Sequence, residues 1–157
     1  MIYHAIVERK LRRAFEALNR GDHAPVLAAF GSPVEHIFFG DHALAGSRHS
    51  MSSITPWYQR LKAVLPDLQF DIVSVAVRGV PWNTIAFVEW RDCFTLRDGS
   101  LRNNQGVHAL RLAWGKVVSL RIYCDAQMLA AALRDQQALG VVDAGKPPIA
   151  DSSLIGA

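Results

Sequence analysis

Asp92 is the one carboxylate on the otherwise apolar inward phase of a strand-like run. Across residues 84–96, Ala86, Val88, Trp90, Asp92, Phe94 and Leu96 fall on one side and Phe87, Glu89, Arg91, Cys93 and Thr95 on the other. A carboxyl among such neighbours loses hydration, so its pKa rises toward the range useful for general acid or base work. The same position also suits a structural carboxylate paired with an inward arginine, histidine or backbone donor. His108, in the next strand-like run, offers an imidazole. It can exchange protons near neutral pH or, kept neutral, polarise a carbonyl; the bland alternative is a buried histidine satisfied by Asp92 or a tyrosine. His36, near the end of an earlier apolar run, is a third candidate. A proton-transfer pair between Asp92 and either histidine needs contact within about 3 Å, directly or through one water.

Flat aromatic residues supply the expected walls. Trp57, Tyr58 and Trp90 suit an apolar, ring-containing ligand, although each also serves as core. Phe15 and Phe38 read first as core packing; with Leu110 and Ile122 they complete the apolar lining. Other chemistries lack their patterns. A metal site drawn from His36, His42, His49 and Asp92 has no i, i+4 helical pair and no C-x-x-C spacing, so no metal is assigned. Gly99 and Gly115 are turn glycines rather than parts of a phosphate loop, and there is no nucleophile elbow. Cys93 and Cys124, both in strand-like runs, suit half-buried packing in a reducing cytoplasm better than a disulfide.

Four strands position Asp92 and His108. Phe70–Arg78, Thr84–Leu96, Leu101–Ala113 and Lys116–Cys124 are rich in Val, Ile, Leu and aromatics, with turn chemistry between them at Gly79-Val80-Pro81, Asp98-Gly99-Ser100 and Trp114-Gly115. Ahead of them, residues 3–20 have a helical stripe of Ile6, Leu11, Ala14, Phe15 and Leu18. Asp22 is expected to cap a short second helix through about Ala29, with Pro25 near its start. Val34–Phe39 reads as a first strand. Ser52 or Ser53 is expected to cap a third helix to about Leu65, and Asp125 a last one to about Gln137. The order ααβαββββα gives an α+β class. Residues 1–139 form one domain, and 140–157 a tail that packs on the body or a neighbour, or is mobile.

Composition sets outer bounds. A chain of 157 residues, 50% hydrophobic and 20% charged, is ordinary for one globular domain. It buries roughly 70% of its unfolded surface. No apolar run approaches the ~18 residues needed to cross a bilayer, and Lys and Arg are mixed into the first helix rather than preceding an apolar core. The expectation is a cytoplasmic protein without a membrane partner. Seventeen basic and fourteen acidic residues leave a net charge of +3; the cluster Arg9-Lys10-Arg12-Arg13 reads as a solvated helix face, not a nucleic-acid patch.

Several runs together resemble the nuclear-transport-factor-2-like superfamily: Ala17-Leu18-Asn19-Arg20-Gly21-Asp22, then Val34-Glu35-His36, then Leu44-Ala45-Gly46. The segment from Gly106-Val107-His108-Ala109-Leu110-Arg111-Leu112 through Gly115-Lys116-Val117-Val118, Arg121, Tyr123 and Asp125 resembles its SnoaL-like polyketide cyclase and ketosteroid isomerase branch. The resemblance covers about residues 5–135. It implies a cone-shaped barrel of a curved, mostly antiparallel sheet packed on N-terminal helices, with an apolar pocket, and a homodimer through the outer sheet face. It also implies that His36 stands at the isomerase's proton-moving carboxylate and His108 at or beside the protonated aspartate of its oxyanion hole. The isomerase's tyrosine is replaced by Ala14. Of the Asp-Arg-Asp trio of the related epoxide hydrolases, Asp92 remains, while Trp90 and Ile122 replace the other two. Epoxide hydrolysis and steroid isomerisation in its usual form are therefore disfavoured.

The functional expectation is cofactor-independent proton transfer on a small, apolar, carbonyl-bearing compound, of isomerase, cyclase or dehydratase type. Asp92 would be acid or base, with His108 and His36 assisting. The alternative is a module of the same fold that binds a small ligand or a protein without chemistry.

Overall fold

The computed structural model describes residues 1–151; residues 152–157, the end of the expected tail, lie outside the described residues. Helix α1 (Ile2–Asn19) buries Val7, Leu11, Phe15 and Ala17. The stripe is turned slightly from the expected one, so Ile6 is 46% exposed and Val7 takes the inward place. A short α2 (Ala24–Ala29) follows; His23 holds the N-cap position without a side-chain bond, and the Asp22 carboxylate accepts from the Ala24 N–H at 3.2 Å.

Strand β1 (Phe30–Phe38) begins four residues earlier than Val34 because its first residue already pairs with a later strand, across an irregular stretch that reaches Glu35. The expected order also omits β2 (Gly46–Arg48), which pairs with β1 through His36–Arg48, Ile37–Ser47 and Phe38–Gly46. Three residues are too few to show alternation, so this strand exists through its partner. Helix α3 (Met51–Val64) starts at Ser50, earlier than the expected Ser52 or Ser53 cap.

The long strands are β3 (Gln69–Val80), β4 (Asn83–Thr95), β5 (Leu101–Ala113) and β6 (Lys116–Cys124). They form one six-stranded sheet in the order β2-β1-β6-β5-β4-β3. Only the β1–β6 pair is parallel; the others are antiparallel. The sheet curves without closing, and β2 and β3 are its edges. Helix α4 (Ala126–Ala138) is capped as expected, the Asp125 side chain accepting from the Met128 N–H at 3.0 Å.

The concave face carries the alternation read from the sequence: Ala86, Val88, Trp90 and Phe94 of β4, Leu110 and Leu112 of β5, and Leu120 and Ile122 of β6 are buried. Val7, Leu11 and Phe15 of α1, Ile54, Trp57, Tyr58 and Leu61 of α3, and Leu129 and Leu133 of α4 join them in one core. Each such side chain contributes about 1.5–3 kcal/mol on burial. Among the described residues no helix is long and apolar enough to cross a membrane.

Beyond α4 a single 3-10 turn (Val142–Gly145) leads into a strap that lies on the body. The Arg60 guanidinium donates to the Pro147 carbonyl at 2.6 Å, Arg48 to that of Ile149 at 2.6 Å, and the Asp151 N–H to that of Ser47 at 3.2 Å. The Asp151 carboxylate accepts from the His49 N–H and from the Ser50 and Ser53 hydroxyls at the start of α3. This explains the earlier helix start.

Candidate functional site

Two adjoining cavities lie between the helices and the concave sheet, of about 160 Å³ and 40 Å³. The larger is bordered by α1, α2, β5 and β6, with Ile6 and the exposed Lys10 at its rim and Phe15 and Leu110 in its wall. The smaller is lined by Phe38, Trp57, Trp90, Ile122, Asp92 and others. Leu18, Tyr58 and His108 border both.

Asp92 is half-buried, and its Oδ1 is sealed from solvent with no hydrogen-bond partner among the described residues. Burial raises its pKa to about 6, with the Asn104 backbone offsetting part of the shift. No arginine locks it. The expected pairing with His108 is not formed either: Asp92 stands opposite Asn104 in the β4–β5 register, whereas His108 stands opposite Val88. The two groups border the same small cavity without touching.

His108 is held by Trp90 instead. The Trp90 indole Nε1–H donates to His108 Nδ1 at 2.8 Å. An indole N–H only donates, so Nδ1 is the unprotonated nitrogen and Nε2 carries the proton. Burial lowers the imidazole pKa to about 3, so the ring is neutral at physiological pH. His108 is therefore a fixed Nε2–H donor, not a proton exchanger. Local sequence makes this contact possible. Trp90 lies opposite Gly106, where a Cβ would come within 2.7 Å of the indole and 2.1 Å of the Tyr123 carbonyl oxygen. The missing side chain lets the indole lie across β5 and reach the next inward residue, His108.

His36 is fully buried but borders neither cavity. Its Nδ1 accepts from Arg48 Nε at 3.1 Å, and its ring packs on Trp57 at 4.5 Å between centroids. Burial, then the Arg48 charge, pushes its pKa well down. Arg48 was not singled out in the sequence, where it sits in an apparent loop. It is fully buried, donates to the Ala45, Gly46 and Ile149 carbonyls, and burial lowers its pKa to about 10. His36 and Arg48 thus brace β1, β2 and the strap. His42, whose Nδ1 accepts from the Leu44 N–H, and His49, which binds Asp151, are elsewhere. No group of three or more metal-ligating side chains occurs among the described residues.

The arrangement supplies a carboxylate poised near neutral pH and a neutral hydrogen-bond donor in one apolar enclosure. No family model matches the chain, and no curated protein matches it. Solved structures do. An NTF2-like protein of unknown function from Burkholderia pseudomallei superposes with a TM-score of 0.65 at 17% identity, over 80% of this chain and 95% of that one. The chain has the nuclear-transport-factor-2-like fold. A Jannaschia protein described as a SnoaL-like polyketide cyclase shares this fold at TM-score 0.63 and 15% identity, over 82% of this chain and 92% of its own. TerC, co-crystallised with polyporic acid, shares it at TM-score 0.65 and 13% identity, over 80% and 96%. These likenesses bear out the cone fold expected from the sequence.

Proposed function

We propose that this protein binds a small ring-containing carbonyl compound in the two cavities and transfers a proton on it, as an isomerase or cyclase. The observation that carries the reading is the unpartnered Asp92 oxygen in the same cavity wall as the fixed donor of His108. The larger space, at about 160 Å³, matches the engineered dry cavities of ~150 Å³ that take up benzene. With the adjoining space of about 40 Å³, it suits a small compound of one or two rings and not a larger polycycle.

In the reaction, the Asp92 carboxylate removes a proton from the carbon next to the carbonyl. The electron pair of that C–H bond moves onto the carbonyl oxygen, which His108 Nε2–H stabilises without giving up its proton. Return of the proton from Asp92 to the same or another carbon completes exchange or isomerisation. No cofactor takes part in these steps. The polyporic acid co-crystallised with TerC and the cyclase description of the Jannaschia protein are compatible with ring chemistry in this cone.

The test is deuterium incorporation at the α-carbon of 2-indanone in deuterium oxide, followed by mass spectrometry. The expected result is catalysed exchange that rises with pH through about 6, as Asp92 ionises, and falls at least about 100-fold in Asp92→Asn. Equal exchange in the variant overturns the assignment. The separation of Asp92 from His108 favours one second reading, a ligand carrier without chemistry; 2-indanone binding with no catalysed exchange would select it.

A further inference from the structure

We infer that the end of the cone where the larger cavity opens docks on the surface of an anionic phospholipid bilayer. The inference stands on that surface and does not depend on the proton transfer above. Two hairpin turns meet there. Val80 pairs with Asn83 and Ala113 with Lys116, so Pro81-Trp82 and Trp114-Gly115 are the two-residue loops of β3–β4 and β5–β6. The Trp114 N–H donates to the Pro81 carbonyl at 2.7 Å, and the two indoles lie 5.8 Å apart between centroids. Trp82 is 58% exposed and Trp114 73%.

The fold alone does not account for Trp114. Its φ of 53° and the 78° of Gly115 put both loop positions in the left-handed region, which asparagine and glycine enter most easily. A tryptophan there carries backbone strain and, being so exposed, gains little from packing. The turn also stands clear of the body, since a Cβ built at Gly115 would meet nothing within 4 Å. Helix α1 starts at the same end: the Tyr3 and Thr84 hydroxyls are hydrogen-bonded, and His4 Nε2–H donates to the Gly79 carbonyl at 2.8 Å. Ile2, Ile6 and Lys10 follow one another along its exposed side at successive turns. Ile6, Lys10 and Gly115 are exposed and border the larger cavity, so its mouth opens between α1 and the Trp114 turn.

Charge selects the occupant. Residues 76–88 and 107–118, which hold both turns, contain Arg78, Arg111 and Lys116 but no carboxylate. At the start of α1, Glu8 is paired with Arg12 at 2.9 Å, which leaves the exposed Arg9 and Lys10 uncompensated by it. A second copy of this end would bring like charges together. Exposed indoles among lysines and arginines instead match the headgroup layer of an anionic bilayer, where tryptophan settles and basic groups are attracted. On the ligand-binding reading above, an apolar compound dissolved in lipid would then reach the mouth without crossing water.

The test is co-sedimentation with vesicles of phosphatidylglycerol and phosphatidylcholine in equal parts, against vesicles of phosphatidylcholine alone. Partition onto the anionic vesicles should be at least about tenfold stronger, and about 0.5 M salt should abolish the difference. Trp82→Ser combined with Trp114→Asn should lower that partition at least about tenfold. Asparagine suits the left-handed turn, so Trp114→Asn should melt no lower than wild type. If the double variant does not fold, Lys10→Glu on the exposed helix face replaces it and should weaken partition onto the anionic vesicles alone. A chain that stays in the supernatant, equal partition onto both vesicles, or partition unchanged without the two indoles overturns the inference. Light scattering that shows these indoles holding two copies together overturns it as well. Deuterium exchange into 2-indanone, measured without lipid, reports on the reaction separately.

Discussion

Replacing Trp90 by Phe keeps a ring in the wall but deletes the indole N–H that fixes the His108 tautomer. Nitrogen-15 NMR should show Nδ1 unprotonated in the wild type and a mixture of tautomers in Trp90→Phe. A single unchanged tautomer in the variant would assign the orientation to something other than Trp90. Asp92 makes a second prediction at this scale. Its folded pKa, raised from 3.8 to about 6, means the folded state holds the proton more tightly than the unfolded chain does. Stability therefore falls as pH rises from about 4 to 6 and stays lowered above that. At ~1.4 kcal/mol per pKa unit, Asp92→Asn should be more stable than wild type by about 3 kcal/mol at pH 8, with the difference shrinking toward pH 4. Chemical denaturation at both pH values measures it. A residue kept at such a cost is what a working site looks like. The inward aim of Asp92 was legible from alternation alone. The Trp90–His108 bond was not, because it depends on the register that sets Gly106 opposite Trp90.

The edge strand β2 and the strap show what local patterns conceal. Nothing in the local sequence marks Arg48, yet its guanidinium becomes a buried hub once β2 pairs with β1 and residues 147–149 close over it. Asp151 similarly takes a capping role at a helix a hundred positions earlier in the chain. Burial raises its pKa, but hydrogen bonds from Ser53, Ser50 and His49 outweigh this and hold it at about 2. Its contribution is thus present above about pH 4 and lost as pH falls toward 2. Asp151→Asn should cost about 0.5–2 kcal/mol at pH 7, on the scale of a helix cap, and close to nothing at pH 2. Denaturant midpoints at the two pH values check this. The long strands were legible almost to the residue because turn glycines separate them and their apolar residues alternate over most of their length. β1 was not, because Gly31 and Pro33 disguise its first half.

For the whole molecule, the convex sheet face is the feature the cone does not use. Phe87 is 48% exposed there, Val73 45% and Tyr123 46%, with Phe39 stacked on Tyr123. We propose that this face pairs with a second copy of the chain, as an apolar outer surface of this kind requires a cover. Light scattering at micromolar concentration should give twice the chain mass, and Phe87→Glu should return it to a single chain. A wild-type chain that scatters as a single copy would remove the proposal.

The strap has a further effect through its bond to Ser47. It occupies part of the open hydrogen-bonding side of β2, which would otherwise offer bare peptide groups to any passing chain. A protease cut near Lys146 would therefore do more than loosen a helix start. It would uncover a template, and clipped material should turn thioflavin-positive on storage while the intact protein stays clear.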